Sequence, residues 1–134
     1  MKRVAFFLVA LSSVLLTVQG ASAAGGLPLR ASPSHVNFGP FPINSGFTPT
    51  QTVTFTNVSN NTVQTADFDC SGDCGQFGVI NDNCSFSSIQ PGHTCTMDTE
   101  FGPGSTGHLT ATIFPRDASL NHLGKVTLSG RGTP

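Results

Sequence analysis

The sequence predicts an all-β fold of about seven short strands, a β-sandwich or a barrel. Charged residues make up only 10% of the 134 positions, which also include 15 glycines and nine prolines. Helical bundles and coiled coils are instead rich in Ala, Glu, Lys, Leu and Arg. Apolar and polar residues alternate with a period of two in short segments, as expected of strands with one buried face. Beyond residue 23 no window of ten or more residues carries a helical period, so short strands joined by turns are predicted.

The first 23 residues predict a secretory signal peptide that is removed on export. Lys2 and Arg3 precede an apolar run at 4–18, and residues 21–23 are Ala-Ser-Ala, small residues that a signal peptidase accepts. This run is shorter than the roughly 20 apolar residues that a membrane-spanning helix needs. We therefore expect a periplasmic or extracellular protein with no membrane insertion after the signal is removed.

Four predicted strands lie before residue 81. The first, 35–38, and the second, 52–56, alternate valine and phenylalanine with polar residues. The third, 63–68, follows an Asn-Asn turn, and the fourth, 77–80, is a short apolar run. Each has the length and the turn residues at its ends that are typical of a half-buried strand.

Three further strands are predicted in the rest of the chain. Segment 95–101 places Cys, Met, Thr and Phe on one face, 108–113 alternates Leu, Ala and Ile with other residues, and 126–128 closes the chain. The apolar inner face of the sandwich is predicted to consist of Val36, Phe38, Val53, Phe55, Phe68, Val79, Met97, Phe101, Leu109, Ile113, Val126 and Leu128. These side chains suffice for one sandwich core.

The composition does not change along the rest of the chain, which predicts one domain. The predicted boundaries are a flexible lead at 24–30 and an immunoglobulin-like domain at 31–134.

Four cysteines, Cys70, Cys74, Cys84 and Cys95, follow the predicted signal peptide. An even number of cysteines in a small exported domain indicates disulfides, and four allow three pairings. Turns before Cys84 and before Cys95 give a hairpin-like layout that favours the pair Cys84–Cys95. A turn tripeptide separates Cys70 from Cys74 and allows them to form the second pair.

The same residues have a second interpretation, a periplasmic metal-handling protein of copper type. Thiolate and imidazole are suitable soft ligands, so Cys70 and Cys74 could hold a metal ion together with histidines. The chain contains four histidines, His35, His93, His108 and His122. None lies at a recognised ligand spacing from the cysteine pair, so disulfides without a metal are the favoured interpretation.

The sequence carries no catalytic motif, which predicts a protein that is not an enzyme and needs no cofactor. It lacks the Gly-x-Ser-x-Gly motif, and Asp98 and Glu100, two apart on one predicted strand, share a solvated face instead of flanking a cleft. A small hydrolase, the remaining enzymatic hypothesis, would need a pocket with convergent polar groups. A formal net charge of −1 provides no basic surface for nucleic acid.

Phenylalanine supplies every aromatic ring, because the chain has 11 Phe and no Trp or Tyr. Four of them, Phe41, Phe47, Phe86 and Phe114, lie outside the predicted core. If they are exposed together they would form a protein-binding patch. Ordinary packing is the alternative and the better supported one, since most apolar side chains are explained by the core.

Five motifs resemble the Hydin-like immunoglobulin-type domain of bacterial "choice-of-anchor D" exported proteins, which is related to the eukaryotic ASH domain. The first two motifs are an opening strand that ends in Phe-Gly (32–39) and a strand that ends in Asn (51–57). The third is a Cys followed by Pro-Gly and a second Cys (84–95). The last two are a Phe-Gly-Pro with a following Gly-containing strand (101–110) and a closing strand (126–132). Cys70 and Cys74 have no counterpart in this pattern. The resemblance implies an all-β fold, an immunoglobulin-like antiparallel β-sandwich of about seven strands, without an active site and used as a spacer or a protein-binding module. We therefore expect a protein partner, bound through edge strands or loops.

Overall fold

A computed structural model of the protein describes residues 26–134, and the predicted signal peptide lies outside the described residues. The ten strands are β1 (Leu29–Ser32), β2 (His35–Pro42), β3 (Gln51–Asn57), β4 (Val63–Gln64), β5 (Asp67–Gly72), β6 (Phe77–Ile80), β7 (Ser88–Ile89), β8 (Thr94–Phe101), β9 (Gly107–Arg116) and β10 (Val126–Thr133). A single turn of 3₁₀ helix, Cys74–Gln76, precedes β6. No helix within residues 26–134 has the length and hydrophobicity to cross a bilayer.

Two four-stranded sheets form the sandwich. The first has the order β1-β3-β8-β6 and is antiparallel throughout, and the second has the order β2-β10-β9-β5 with β2 parallel to β10. Strands β4 and β7 form a separate small pair. The predicted all-β sandwich is confirmed, with eight strands in the two main sheets where about seven were expected.

The core lies between the sheets and follows the alternation of the sequence. The inward side chains of the two central strands of the first sheet are fully buried, among them Val53, Phe55, Met97 and Phe101. Three predicted core residues, Phe38, Phe68 and Val79, are only partly buried and pack against the core from its margin. They belong to β2, β5 and β6, which are edge strands and therefore have a neighbouring strand on one side only.

Strands β2, β9 and β10 are longer than the predicted segments. Two further differences from the predicted boundaries follow from backbone hydrogen bonds. Segment 63–68, expected as one strand, is divided between β4 and β5, because the Thr65 N–H donates to Ser87 O while the next N–H, of Ala66, donates to Arg116 O. Strand β1 begins at Leu29, inside the segment expected to be a flexible lead. The Leu29 side chain is 3% exposed and its N–H donates to Leu123 O, so the end of this lead belongs to the sandwich.

Candidate protein-binding surface

One end of the sandwich is formed by five segments, which lie before β1, after β3, before β5, before β7 and between β9 and β10. Backbone hydrogen bonds join these segments. The Val58 N–H donates to Pro28 O at 2.9 Å, and the Leu29 N–H donates to Leu123 O at 2.8 Å. The Ala66 N–H donates to Arg116 O at 2.8 Å, and the Phe86 N–H donates to Ala66 O at 3.2 Å. The five segments therefore lie together at this end.

Exposed apolar side chains concentrate on this surface. Six large hydrophobic side chains of the described chain are exposed, and four of them lie here. We call these four residues the apolar end: Leu27, Val58, Phe86 and Leu120. Contiguous exposed apolar groups on a soluble protein are a mark of interaction sites, whereas single ones are ordinary.

Phe86 is the most exposed residue of the apolar end, with 84% of its surface accessible. Its φ of 52° lies in the left-handed region, which non-glycine residues rarely adopt. The Phe86 N–H donates to Ala66 O at 3.2 Å, and the N–H of the next residue, Ser87, donates to Thr65 Oγ1 at 2.9 Å. The backbone on both sides of the ring is thus fixed, and the ring is held in solvent instead of folding back onto the protein.

Side-chain hydrogen bonds and a disulfide also fix the turn that precedes Phe86. Asp82 Oδ1 accepts hydrogen bonds from the N–H groups of Cys84 and Ser85 at 2.8 and 3.0 Å, the arrangement that favours aspartate in turns. Cys84 is buried at 1% exposure and is bonded to Cys95 of β8, with the sulfurs 2.03 Å apart. The disulfide anchors the turn to a central strand and so positions Phe86 before any partner binds.

Leu120 projects from the other turn of this surface. It has a φ of 68° and is 64% exposed. Asp117 Oδ1 accepts from the N–H groups of Ser119 and Asn121, both at 2.9 Å. Hydrogen bonds from Asn121 lower the pKa of Asp117 below its usual value. An ionised carboxylate therefore holds this turn at neutral pH.

A groove of about 560 Å³ continues the apolar end along the side of β1. Leu27 and Val58 line it, and the basic residues Arg30 and Lys125 stand beside them. Both basic residues are exposed. The surface therefore combines apolar side chains with positive charge at its margin, which suits a protein surface carrying acidic groups.

The four phenylalanines singled out from the sequence do not form one patch. Phe86 belongs to the apolar end, but Phe47 lies over Gly102 at the opposite end of the sandwich. Phe41 is partly buried on β2, and Phe114 stacks on His122 with ring centroids 4.2 Å apart. Leu27, Val58 and Leu120 complete the surface instead. These three residues lie in turn-forming segments of the sequence. The only feature of the sequence that could have identified them is an apolar residue surrounded by turn-forming residues.

Ionic groups cluster beside Phe114 on the outer face of the second sheet. The Asp69 carboxylate lies 3.3 Å from Arg116 Nε and 3.0 Å from His122 Nε2, and Asp67 lies 3.7 Å from the Arg116 guanidinium. The pairs are partly exposed, and such ion pairs contribute little stability. They connect β5 with the end of β9 and with His122, beside the apolar end.

The cysteines form the two pairs that the sequence favours. Cys70 and Cys74 lie with their sulfurs 2.02 Å apart, in addition to the Cys84–Cys95 pair. Two such pairs are typical of proteins from oxidising compartments. Within residues 26–134 no group of three His, Cys, Asp or Glu side chains is arranged to hold a metal ion. His35 forms a hydrogen bond with Ser129, and His122 forms one with Asp69. His93 and His108 are exposed.

A serine and a histidine meet on the outer face of the second sheet. His35 Nε2 lies 2.8 Å from Ser129 Oγ, the distance expected of a nucleophile and its base. Ser129 also lines a recess of about 260 Å³ with His108 and Arg131. Among the described residues no carboxylate is hydrogen-bonded to His35, so the pair lacks the third group that orients such a base. The pair lies on an open sheet face.

Known structures share this fold. The chain resembles the VesB protease of Vibrio cholerae (16% identity, TM-score 0.56), with 78% of this chain and 32% of that chain aligned. It also resembles PapD-like domain 7 of human CEP192, an ASH domain (11% identity, TM-score 0.51; 80% and 86% aligned). The third is WR4, an MSP family member of Caenorhabditis elegans (11% identity, TM-score 0.51; 81% and 100% aligned).

These likenesses support a fold of the ASH and MSP type. The chain spans about a third of the length of VesB. No family profile matches the chain, and no curated protein sequence matches it.

Proposed function

We propose that this protein is an exported, non-catalytic immunoglobulin-like module that binds another protein through its apolar end. The observation that carries the proposal is the convergence of Leu27, Val58, Phe86 and Leu120 on one end of the sandwich. Exposing these side chains to water is unfavourable by roughly 25 cal/mol per Å² of apolar surface. Two of them also occupy left-handed backbone conformations that are costly for their residue types. A partner that covers the surface offsets the cost of exposure.

The rigidity of the two turns supports recognition by preformed side chains. An aromatic ring that is already fixed in its bound position loses little conformational entropy on association. Rings of this kind are frequent energetic centres of protein interfaces, surrounded by weaker contacts. Phe86 has this position, while Leu120 and the groove beside β1 supply the surrounding apolar area. Loops gathered at one end of a sandwich are also the binding site of immunoglobulin variable domains.

Four observations support export and a non-enzymatic role. Residues 1–23 have the pattern of a secretory signal, and the two cysteine pairs suit an oxidising compartment. The sequence motifs resemble those of choice-of-anchor D proteins, and the fold is similar to that of ASH and MSP domains. The periplasm or the cell exterior is therefore the proposed location, with no cofactor and no nucleic-acid partner.

Cross-linking and co-purification from the native source test the proposal. The wild-type protein is expected to retain a specific partner, and Phe86→Ala to lose most of it. Phe47→Ala is the matched control, because it removes the same side chain, 59% exposed, from the opposite end of the sandwich. Retention by Phe47→Ala with loss by Phe86→Ala supports the apolar end. Equal retention by both variants contradicts it, and so does the absence of any protein that binds wild type above background.

A further inference from the structure

Edge strand β6 has a free side, and the ladder with β8 shows which of its backbone groups face that side. The Gly102 N–H donates to Gln76 O at 2.9 Å, directly beside the paired residues Phe77 and Phe101. Hydrogen-bonded and non-hydrogen-bonded pairs alternate along antiparallel strands. Phe77 and Val79 are therefore non-hydrogen-bonded positions of this ladder. Their backbone groups are not bonded to β8. The Phe77 N–H already donates to Cys74 O at the end of the 3₁₀ turn. The Phe77 C=O and both backbone groups of Val79 remain available on the open side of the sandwich.

The other three edges of the sandwich carry features that hinder pairing with another chain. On β1, the outward N–H of Leu29 is already bonded to Leu123 O. Strand β2 contains Pro40 and Pro42, which have no N–H to donate. Strand β5 carries two aspartates and one end of the short disulfide loop. The N–H of the first residue of β6, Phe77, is engaged as that of Leu29 is on β1. The sequence of β6 is Phe-Gly-Val-Ile, however, with neither the charge of Arg30 on β1 nor a proline, so β6 is the edge most open to strand addition.

A carboxylate lies next to this open edge. Gly78 pairs with Glu100 of β8, and the Glu100 side chain covers the glycine. A Cβ atom added to Gly78 would lie only 2.8 Å from Cγ and from Oε1 of Glu100. None of the ion pairs within the described chain involves Glu100. The neighbouring acid, Asp98, is bonded to Thr52 and Asn81. Glu100 is thus the free negative charge that a strand added beside β6 would meet.

We propose that β6 binds an extended segment of a partner protein by strand addition. Val79 donates and accepts backbone hydrogen bonds and the Phe77 C=O accepts one more, the defining interaction of this mode of recognition. A lysine or arginine of the segment lies opposite Gly78 and pairs with Glu100. An apolar side chain of the same segment packs on Ile80, which is 38% exposed on that face. This site is separate from the apolar end and does not depend on it.

Charge argues against a second copy of this chain as the occupant. Two copies of β6 paired antiparallel about Gly78 would place Phe77 of each copy opposite Val79 of the other. Glu100 lies on β8 but its side chain covers Gly78, so the two carboxylates would stand on the same face on either side of the paired glycines. Two negative charges on one face of a sheet repel each other. A cationic segment from a different protein removes this repulsion.

The probes are two synthetic peptides of alternating Val and Thr, capped at both ends. One carries a central Lys and the other a central Glu. They are titrated into the isotope-labelled protein while amide resonances and amide exchange are followed. The Lys peptide is expected to bind about tenfold more tightly than the Glu peptide, and Glu100→Lys to reverse the preference. The Val79 amide is expected to gain protection from exchange.

Val79→Pro removes one outward N–H without touching the ladder to β8, and is expected to weaken binding of the Lys peptide about tenfold. Its control is Ala118→Pro, at the second position of an exposed turn where proline is accommodated. Glu100→Lys provides a second test that does not depend on how Val79→Pro folds. Protection of another edge, equal affinity for both peptides, or no binding of either overturns the proposal. Phe86→Ala should leave peptide binding unchanged. A negative result for strand addition to β6 is therefore distinct from a negative result for partner binding at the apolar end.

Discussion

The ring of Phe101, on β8, lies directly against the α-carbon of Gly130, on β10. A Cβ at position 130 would come 2.6 Å from Cζ and 2.7 Å from Cδ1 of that ring. Phe101 is completely buried and also contacts the rings of Phe38 and Phe77, with centroids 6.0 and 4.9 Å away. The missing side chain at Gly130 therefore allows the two sheets to approach each other at this point.

Gly130→Ala is expected to destabilise the protein by about 1–3 kcal/mol, because the added methyl group displaces a buried ring that has no free space around it. Urea unfolding measures the change. Gly75→Ala is the control, since a Cβ there meets no atom within 4 Å. Equal free energies of unfolding for the two variants would show that the sheets adjust freely at this contact.

Asn57 stabilises the turn after β3 with every polar atom of its side chain. Its Nδ2 donates to Asn61 O and Ile89 O, both at 2.7 Å, and its Oδ1 accepts from Ser59 N and Oγ. Asn57→Ala leaves buried partners without hydrogen bonds, and we expect a loss of about 3 kcal/mol in thermal or urea unfolding. Asn60→Ala, in the same turn but exposed, is expected to be nearly neutral. A comparable loss in both variants would assign the effect to the turn as a whole.

Asp98 makes stability depend on pH in the acid range. Hydrogen bonds from Thr52 (2.6 Å) and from Asn81 (2.9 Å) lower its pKa below the usual 3.8. A lowered folded-state pKa contributes stability that is present above about pH 4 and is lost as the pH falls through the folded-state value. Thr52→Val should therefore be less stable than wild type at neutral pH, and the difference should shrink at about pH 2. Thr54→Val, on the same strand, is the control, and a pH-independent difference would contradict the assignment.

The two cysteine pairs are expected to contribute unequally. The loop-entropy relation gives about 3 kcal/mol for the longer loop of Cys84–Cys95 and about 2 kcal/mol for Cys70–Cys74. Cys84 and Cys95 are also buried, so replacing both by Ala leaves a cavity, whereas a Cys70→Ser and Cys74→Ser double variant does not disturb the centre of the core. Urea unfolding of the two double variants shows which of them loses more free energy of unfolding.

Thiol titration of the native protein tests the same residues chemically. Two disulfides predict no reactive thiol and a mass about four units below that of the reduced chain. Free thiols at Cys70 and Cys74 with a retained metal ion would support the metal-handling alternative instead.

The alternation of residues in β3, β8, β9 and β10 was sufficient to predict these strands and their buried faces. Periodicity is a local property, and each of these strands is long enough to show it. The division of 63–68 between two strands was not predictable, because it depends on hydrogen bonds to Ser87 and Arg116, distant in sequence. The burial of Leu29 likewise depends on its bond to Leu123.

The sequence by itself determined the fold class, the turns and the residues able to form disulfides, since composition, spacing and alternation act over a few residues. Only the tertiary structure decided which turns meet. Leu27, Val58, Phe86 and Leu120 lie far apart in the chain, and each alone is an ordinary apolar residue in a turn. Sheet order and long-range hydrogen bonds bring them to one end, and the same pairing decides which backbone groups of β6 remain free. Both candidate sites arise from contacts between segments that no local pattern links.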